Sequence, residues 1–112
     1  MTILGSPLVT IIMPIRNEAA FIERSLAAVL AQDYSADLVE VLVVDGMSDD
    51  GTRDIVAKML VCDPKARLLD NPQHIAPSAL NIGLAEARGE VIVRVDGHTV
   101  IDDDYVTCCV EA

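Results

Sequence analysis

The chain has 112 residues, enough for one compact domain and too few for two, so residues 1–112 are expected to form a single unit. Eight basic residues against eighteen acidic ones give a formal net charge of −10, which opposes attraction to nucleic acid or anionic lipid. Hydrophobic residues make up 52% of the chain and aromatic ones only 3%, so the core must come from Val, Ile, Leu, Ala and Met, a mixture that suits buried parallel strands.

The amino-terminal stretch lacks a basic region and its apolar run breaks at Pro14, so neither a signal peptide nor a membrane span is expected there. The β-branched run from Val9 to Met13 reads as a first strand, stopped by Pro14, which cannot donate to a ladder. From Glu18 to about Gln32, Ile22, Leu26, Val29 and Leu30 recur on one side of a first helix. Val39 to Val44, interrupted only by Glu40, predicts a second strand ending at Asp45. Turn formers follow from Gly46 to Gly51, and Ser48 or Asp50 can cap a helix starting near Thr52 and stopped by Asp63-Pro64. Ala66 to Leu69 is a short third strand, and Pro77 and Gly89 bracket a third helix over about Ala76 to Arg88. Val91 to Val95 is a fourth strand ending in Asp96-Gly97-His98, after which Asp102 or Asp103 can cap a last helix.

Strands alternating with helices of crossover length imply an α/β fold, three layers in α/β/α order around a mainly parallel sheet. In such sheets ligands bind outside the carboxyl ends of the strands. Three polar clusters fall there: Pro14-Ile15-Arg16-Asn17-Glu18, Asp45, and Asp96-Gly97-His98. An extended backbone would send Asp96 and His98 to the same side, where they could share one ion. A carboxylate with an imidazole favours Mn²⁺, with Mg²⁺ as the alternative, and phosphate oxygens would complete the shell. Such an ion would also let an acidic domain accept a diphosphate. Asp45 is a candidate acceptor for a base N–H or a ribose hydroxyl, held rigidly at a strand end.

Other residues have plainer readings. Asn17 and Glu18 can cap the first helix as well as line a pocket, and Ser48, Asp49, Asp50 and Thr52 are explained by capping. Arg88 suits the end of the third helix, and His74, in a loop beside Pro72, reads as solvated. Cys62, Cys108 and Cys109 form an odd set with no CxxC spacing, which suggests reduced thiols in a cytosolic setting.

Four stretches, Ile12-Met13-Pro14-Ile15-Arg16-Asn17-Glu18, Val43-Val44-Asp45-Gly46-Met47-Ser48-Asp49-Asp50-Gly51-Thr52, Ala79-Leu80-Asn81-Ile82-Gly83-Leu84-Ala85 and Arg94-Val95-Asp96-Gly97-His98, together resemble family 2 glycosyltransferases of the GT-A fold. Within that family the chain is most similar to the succinoglycan biosynthesis glycosyltransferases, over nearly all of its length. The resemblance implies the amino-terminal part of a longer GT-A domain, binding a nucleotide-diphosphate sugar, UDP-sugar favoured, for transfer to a saccharide or lipid-linked acceptor in polysaccharide biosynthesis. It implies that Pro14, Asn17 and Glu18, beside Arg16, border the nucleotide. Asp45 would contact the uracil or its equivalent, and Asp96 and His98 would stand at the metal-binding DxD motif in its DxH form. It further implies inverting transfer and a cytoplasmic location, with the parent protein at the cytoplasmic face of a membrane. Gly46 departs from the usual second acidic residue after the second strand, and the basic residue often found shortly before Ala79-Leu80-Asn81 is absent.

The family's catalytic-base carboxylate lies further along the chain than this stretch reaches, so no catalytic residue is assigned, and Asp102, Asp103 and Asp104 read as the opening of a helix. The 112 residues are expected to bind nucleotide weakly and not to transfer sugar alone. Uncovered sheet edges or helix faces would favour a homo-oligomer. A phosphoacceptor receiver domain would need an acidic pair after the first strand, and a dinucleotide-binding oxidoreductase would need GxGxxG there; neither pattern is present. A non-catalytic nucleotide-binding module is the remaining alternative.

Overall fold

A computed structural model describes residues 6–111. The reading of the amino terminus as neither signal nor span falls partly on residues 1–5, outside the described residues. Four strands, β1 (Val9–Ile15), β2 (Val39–Asp45), β3 (Ala66–Asp70) and β4 (Val91–Arg94), alternate with α1 (Ile22–Leu30), α2 (Thr52–Leu60), α3 (Ala76–Glu86) and α4 (Tyr105–Glu111). The sheet order is β3-β2-β1-β4 and every pairing is parallel. The expected mainly parallel α/β sheet is therefore observed, and all four carboxyl ends lie along one rim.

Alternation along β1 separates the two faces. Ile11 and Met13 join Ile22, Leu26 and Val29 of α1, Val56 of α2 and Val106 of α4 in the larger core, whereas Ile12 packs with Val44 and Ala79 of α3 on the other face. Each such fully buried aliphatic side chain contributes about 1.5–3 kcal/mol. The Ala79-to-Gly83 spacing in α3 is a packing device: a Cβ at Gly83 would lie 2.7 Å from the Ile12 side chain, so the small residues seat the helix close against β1.

Pro14 does not stop the first strand, which runs on to Ile15 with Pro14 paired to Val44. The Ile12 carbonyl faces β4, where it accepts from the Val95 amide, and Pro14, two residues on, faces the same way. The missing N–H thus points past the last β4 ladder pair, Ile12 with Arg94, so no ladder pair is lost to it. Helix α1 starts four residues later than expected, because the Glu18 carbonyl accepts from the amides of Phe21 and Ile22 in a preceding turn. Asp102 and Asp103 do not cap α4 with their side chains; Gln32 reaches across, its Oε1 accepting the Val106 amide at 2.9 Å. Arg88 lies just past the end of α3 and pairs with Glu40 at the amino-terminal edge of the sheet. The described cysteines are free thiols, Cys109 packed against the core and Cys62 and Cys108 exposed.

Candidate functional site

Because β1 lies between β2 and β4, its trailing segment Pro14–Glu18 separates the tip of β2 from the tip of β4. Two strand spacings, about 10 Å, part Asp45 from Asp96 along the rim. The loops after β1 and β2 are stitched together by side chains. The Asn17, Glu18 and Ala19 amides donate to Ser48 Oγ, Thr52 Oγ1 and Asp50 Oδ2 at 2.8, 2.9 and 3.2 Å, and Asn17 Oδ1 accepts the Asp49 amide at 2.9 Å. Asp50 accepts the Thr52 amide at the start of α2, but the cap position itself falls on Gly51, in left-handed backbone with no side-chain bond, and Ser48 turns to Asp45 instead. Among the described residues, three that are not glycine adopt left-handed backbone, Asn17, Met47 and His74, one in each loop following β1, β2 and β3. Such conformations cost about 1–2 kcal/mol each and cluster where a loop must be shaped for a task.

A cleft of about 90 Å³ opens between the end of β1 and the start of α3, lined among others by Pro14, Arg16, Asn71 and His74. His74, read from sequence as simply solvated, has an exposed side chain on this cleft. Its carbonyl lies 2.8 Å from where a Cβ on Gly46 would stand, so the space a larger residue would use at position 46 is occupied by the β3–α3 loop. Asn71, 1% exposed, organises that loop: its amide donates to the Asp45 carbonyl, its Nδ2 to the Ile75 carbonyl, and its Oδ1 accepts from Ser78. Arg16 donates to the Gly46 carbonyl across the rim.

Asp45 is not presented as a free acceptor. Its carboxylate is fully buried, accepting from the Ser48 amide and hydroxyl and from Arg53 Nη1 at 2.8 Å. Asp45 and Asp70 stand opposite each other in the β2–β3 register, and the Arg53 fork takes one carboxylate on each side. Hydrogen bonds that the guanidinium donates to Asp45 and then to Asp70 push its pKa above the ordinary arginine value. Sequence reasoning missed Arg53, yet a cation in the first turn of α2 opposes the helix dipole, which signals an acidic partner nearby.

The β4 tip is different. The amide of Thr99 donates to the Asp96 carbonyl, so residues 96–99 form a turn, and the strand alternation expected to align Asp96 with His98 ends before them. Asp96, with 41% of its side chain exposed, pairs with Arg94 at 2.9 Å. An exposed pair of this kind is worth under about 1 kcal/mol and exchanges readily. His98 is exposed, with Nδ1 3.2 Å from Glu18 Oε2. Among the described residues no three His, Cys, Asp or Glu side chains gather closely enough to hold a metal ion. The donors this tip offers are Asp96 and His98, and that set fits a divalent ion that draws its remaining oxygens from a diphosphate.

Comparison with known proteins fits this arrangement. The family model described as "Glycosyl transferase family 2" matches residues 10–112. Succinoglycan biosynthesis protein ExoA of Rhizobium meliloti is 37% identical over 103 residues, covering 90% of this chain and 31% of the relative. Glycosyltransferase AglE of Haloferax volcanii is 36% identical, with 81% and 30% covered. Among solved structures, mannosyltransferase PcManGT from Pyrobaculum calidifontis in complex with GDP-Man and Mn²⁺ superimposes with a TM-score of 0.78 at 37% identity, over 85% of this chain and 28% of that one. TarS 1–349 of S. aureus in complex with UDP gives 0.81 at 26% identity, over 90% and 30%. The chain thus spans about 30% of the length of these relatives.

Proposed function

The chain belongs to glycosyl transferase family 2, and from that premise we propose that residues 1–112 are the amino-terminal, nucleotide-sugar-binding part of an inverting glycosyltransferase. Its donor is a nucleotide-diphosphate sugar and its acceptor a saccharide or lipid-linked saccharide of polysaccharide biosynthesis, at the cytoplasmic face of a membrane. Membership in this family leaves no place for the receiver-like and dinucleotide-binding readings. No helix among the described residues is long and apolar enough to cross a membrane.

The observation that carries the reading is the strand order: with β1 between β2 and β4, the base cleft and the Asp96–His98 tip flank the same β1 segment. In this reading Pro14 and Arg16 form the cleft wall beside the base, joined by Asn71 and His74, while Asn17 borders the nucleotide from just outside the cleft lining. Asp45 supports that wall through Ser48 and Arg53, and contact with the base would need the Ser48 hydroxyl to yield. Asp96 and His98 hold a divalent ion, Mn²⁺ or Mg²⁺, jointly with the donor diphosphate. When bound, that ion supplies Lewis-acid neutralisation of the charge on the departing nucleoside diphosphate. A cleft of about 90 Å³ is well below the several hundred usual for a complete ligand site, which supports weak binding and no turnover by these residues alone.

UDP is the favoured nucleotide, but a relative that holds GDP-Man makes guanine the competing base. Calorimetric titration with UDP and GDP, each with and without Mn²⁺, tests the proposal on the wild-type chain and Asp96→Ala. Mn²⁺-dependent binding that disappears in Asp96→Ala is expected, and equal binding by both proteins would remove the metal site. Measurable sugar transfer by the 112 residues alone would overturn the partial-site reading.

A further inference from the structure

We infer that Glu18 is the positioning residue for His98: its carboxylate accepts a hydrogen bond from the imidazole Nδ1–H and leaves the Nε2 lone pair directed outward for a divalent ion. The inference rests on the proposed role of His98 at the diphosphate end of the donor site.

The two residues are 80 positions apart, yet Glu18 Oε2 lies 3.2 Å from His98 Nδ1. Both are carried on backbone that is fixed independently of the contact. The Glu18 amide is held by Thr52 Oγ1 at 2.9 Å, and its carbonyl accepts two amides of the turn before α1. On the other side, the Gly97 carbonyl accepts from the buried Ser25 hydroxyl of α1 at 2.6 Å, which ties the His98 turn to the same helix that Glu18 precedes. The path between them passes over Gly97. A Cβ at that position would lie 3.0 Å from both Glu18 Cγ and Glu18 Oε2, so the glycine of Asp96-Gly97-His98 leaves the channel through which the glutamate reaches the ring. Glu18 is also largely shielded, with 21% of its side chain exposed against 62% for His98, an arrangement that puts the carboxylate behind the imidazole and the imidazole toward solvent.

A ring nitrogen bonds a metal only through an unprotonated lone pair, and which nitrogen is free is set by the bond the other one makes. A carboxylate accepts but does not donate, so Glu18 selects the Nδ1–H tautomer and fixes the ring plane before any ion arrives.

Two measurements test the inference. In metal-free, ¹⁵N-labelled protein at a pH where imidazole is neutral, the ring nitrogens of His98 should report the Nδ1–H tautomer. Glu18→Leu should return them to the Nε2–H form that a free histidine side chain prefers. Mn²⁺ titrated in the presence of UDP should bind roughly 10-fold or more weakly to Glu18→Leu. Glu18→Gln, which keeps an acceptor oxygen, should fall between that variant and the wild type, and Glu18→Leu should cost nothing further in a His98→Ala background. An unchanged tautomer in Glu18→Leu overturns the inference, and so does an equal loss with and without His98. Normal Mn²⁺–UDP binding by His98→Ala would remove the underlying metal reading and this inference with it. Loss in His98→Ala with none in Glu18→Leu would remove the inference alone.

Discussion

The tripeptide Val-Asp-Gly occurs twice, as Val44-Asp45-Gly46 and as Val95-Asp96-Gly97, each time at the carboxyl end of a parallel strand, and the two copies have opposite fates. Asp45 is sealed from solvent with Ser48 and Arg53 on its oxygens, whereas Asp96 is 41% exposed and shares its charge with one exposed arginine. The difference follows from sheet position. Strand β2 is internal and its tip is enclosed by the loops of β1 and β3, while β4 has a neighbour on one side only. A strand-end carboxylate with satisfied partners stiffens the rim, and one with exchangeable partners is available to a ligand.

Replacing the two aspartates should separate these roles most sharply. Asp45→Ala strands Arg53 Nη1 and the Ser48 donors and should lower stability by about 2–3 kcal/mol, below the full range for a buried pair because Arg53 is 34% exposed and keeps Asp70. Asp96→Ala should cost less than about 0.5 kcal/mol. Chemical denaturation of both variants checks this, and comparable losses would erase the distinction.

The glycines give a smaller contrast. A Cβ on Gly46 meets the backbone carbonyl of His74, which cannot step aside, whereas one on Gly97 meets the side chains of Ile15 and Glu18. Gly46→Ala should therefore destabilise by about 2 kcal/mol and Gly97→Ala by about 1 kcal/mol, read from melting temperatures. Only the second should disturb the His98 ring resonances.

Glu40 extends the comparison to the opposite end of β2, where it is 6% exposed, accepts from Thr10 Oγ1 at 2.6 Å, and takes the Arg88 amide. Burial opposes its charge, but the bonds from Thr10 and Arg88 outweigh it and hold the carboxyl below its ordinary value of 4.5. A depressed folded value stabilises the protein above the unfolded one, and that contribution disappears as pH falls through the folded value. Glu40→Gln should lose about 1–2 kcal/mol at pH 7 and show a shallower decline in acid than the wild type. Parallel stability curves for the two proteins between pH 6 and about pH 3 would contradict the assignment.

The fold was legible because periodicity and turn chemistry act locally: the apolar runs, Pro77 and Gly89 bracket elements whose boundaries shift by only a few residues. Helix α1 moved because a turn at Glu18 precedes it, and Pro14 stayed in its strand because its neighbour ends first, a fact belonging to β4. The site was legible as a set of strand tips and no further. Nothing within Val-Asp-Gly distinguishes a sealed carboxylate from an open one, since the answer lies in Arg53 and in the strand order. Asn71 escaped notice and His74 reads from sequence only as solvated, because their part in the cleft depends on a left-handed residue and a buried amide, neither of which has a periodic signature.

Three consecutive main-chain donors at the mouth of the first strand, on Asn17, Glu18 and Ala19, are already engaged by hydroxyl and carboxylate groups from residues 48–52. Where glycine-rich nucleotide loops greet a phosphate with bare peptide dipoles, this molecule has closed that route with its own anionic and hydroxyl side chains. On the proposed reading, a donor pyrophosphate would find its counter-charge elsewhere, and in a protein with ten excess negative charges an imported cation would be the natural escort.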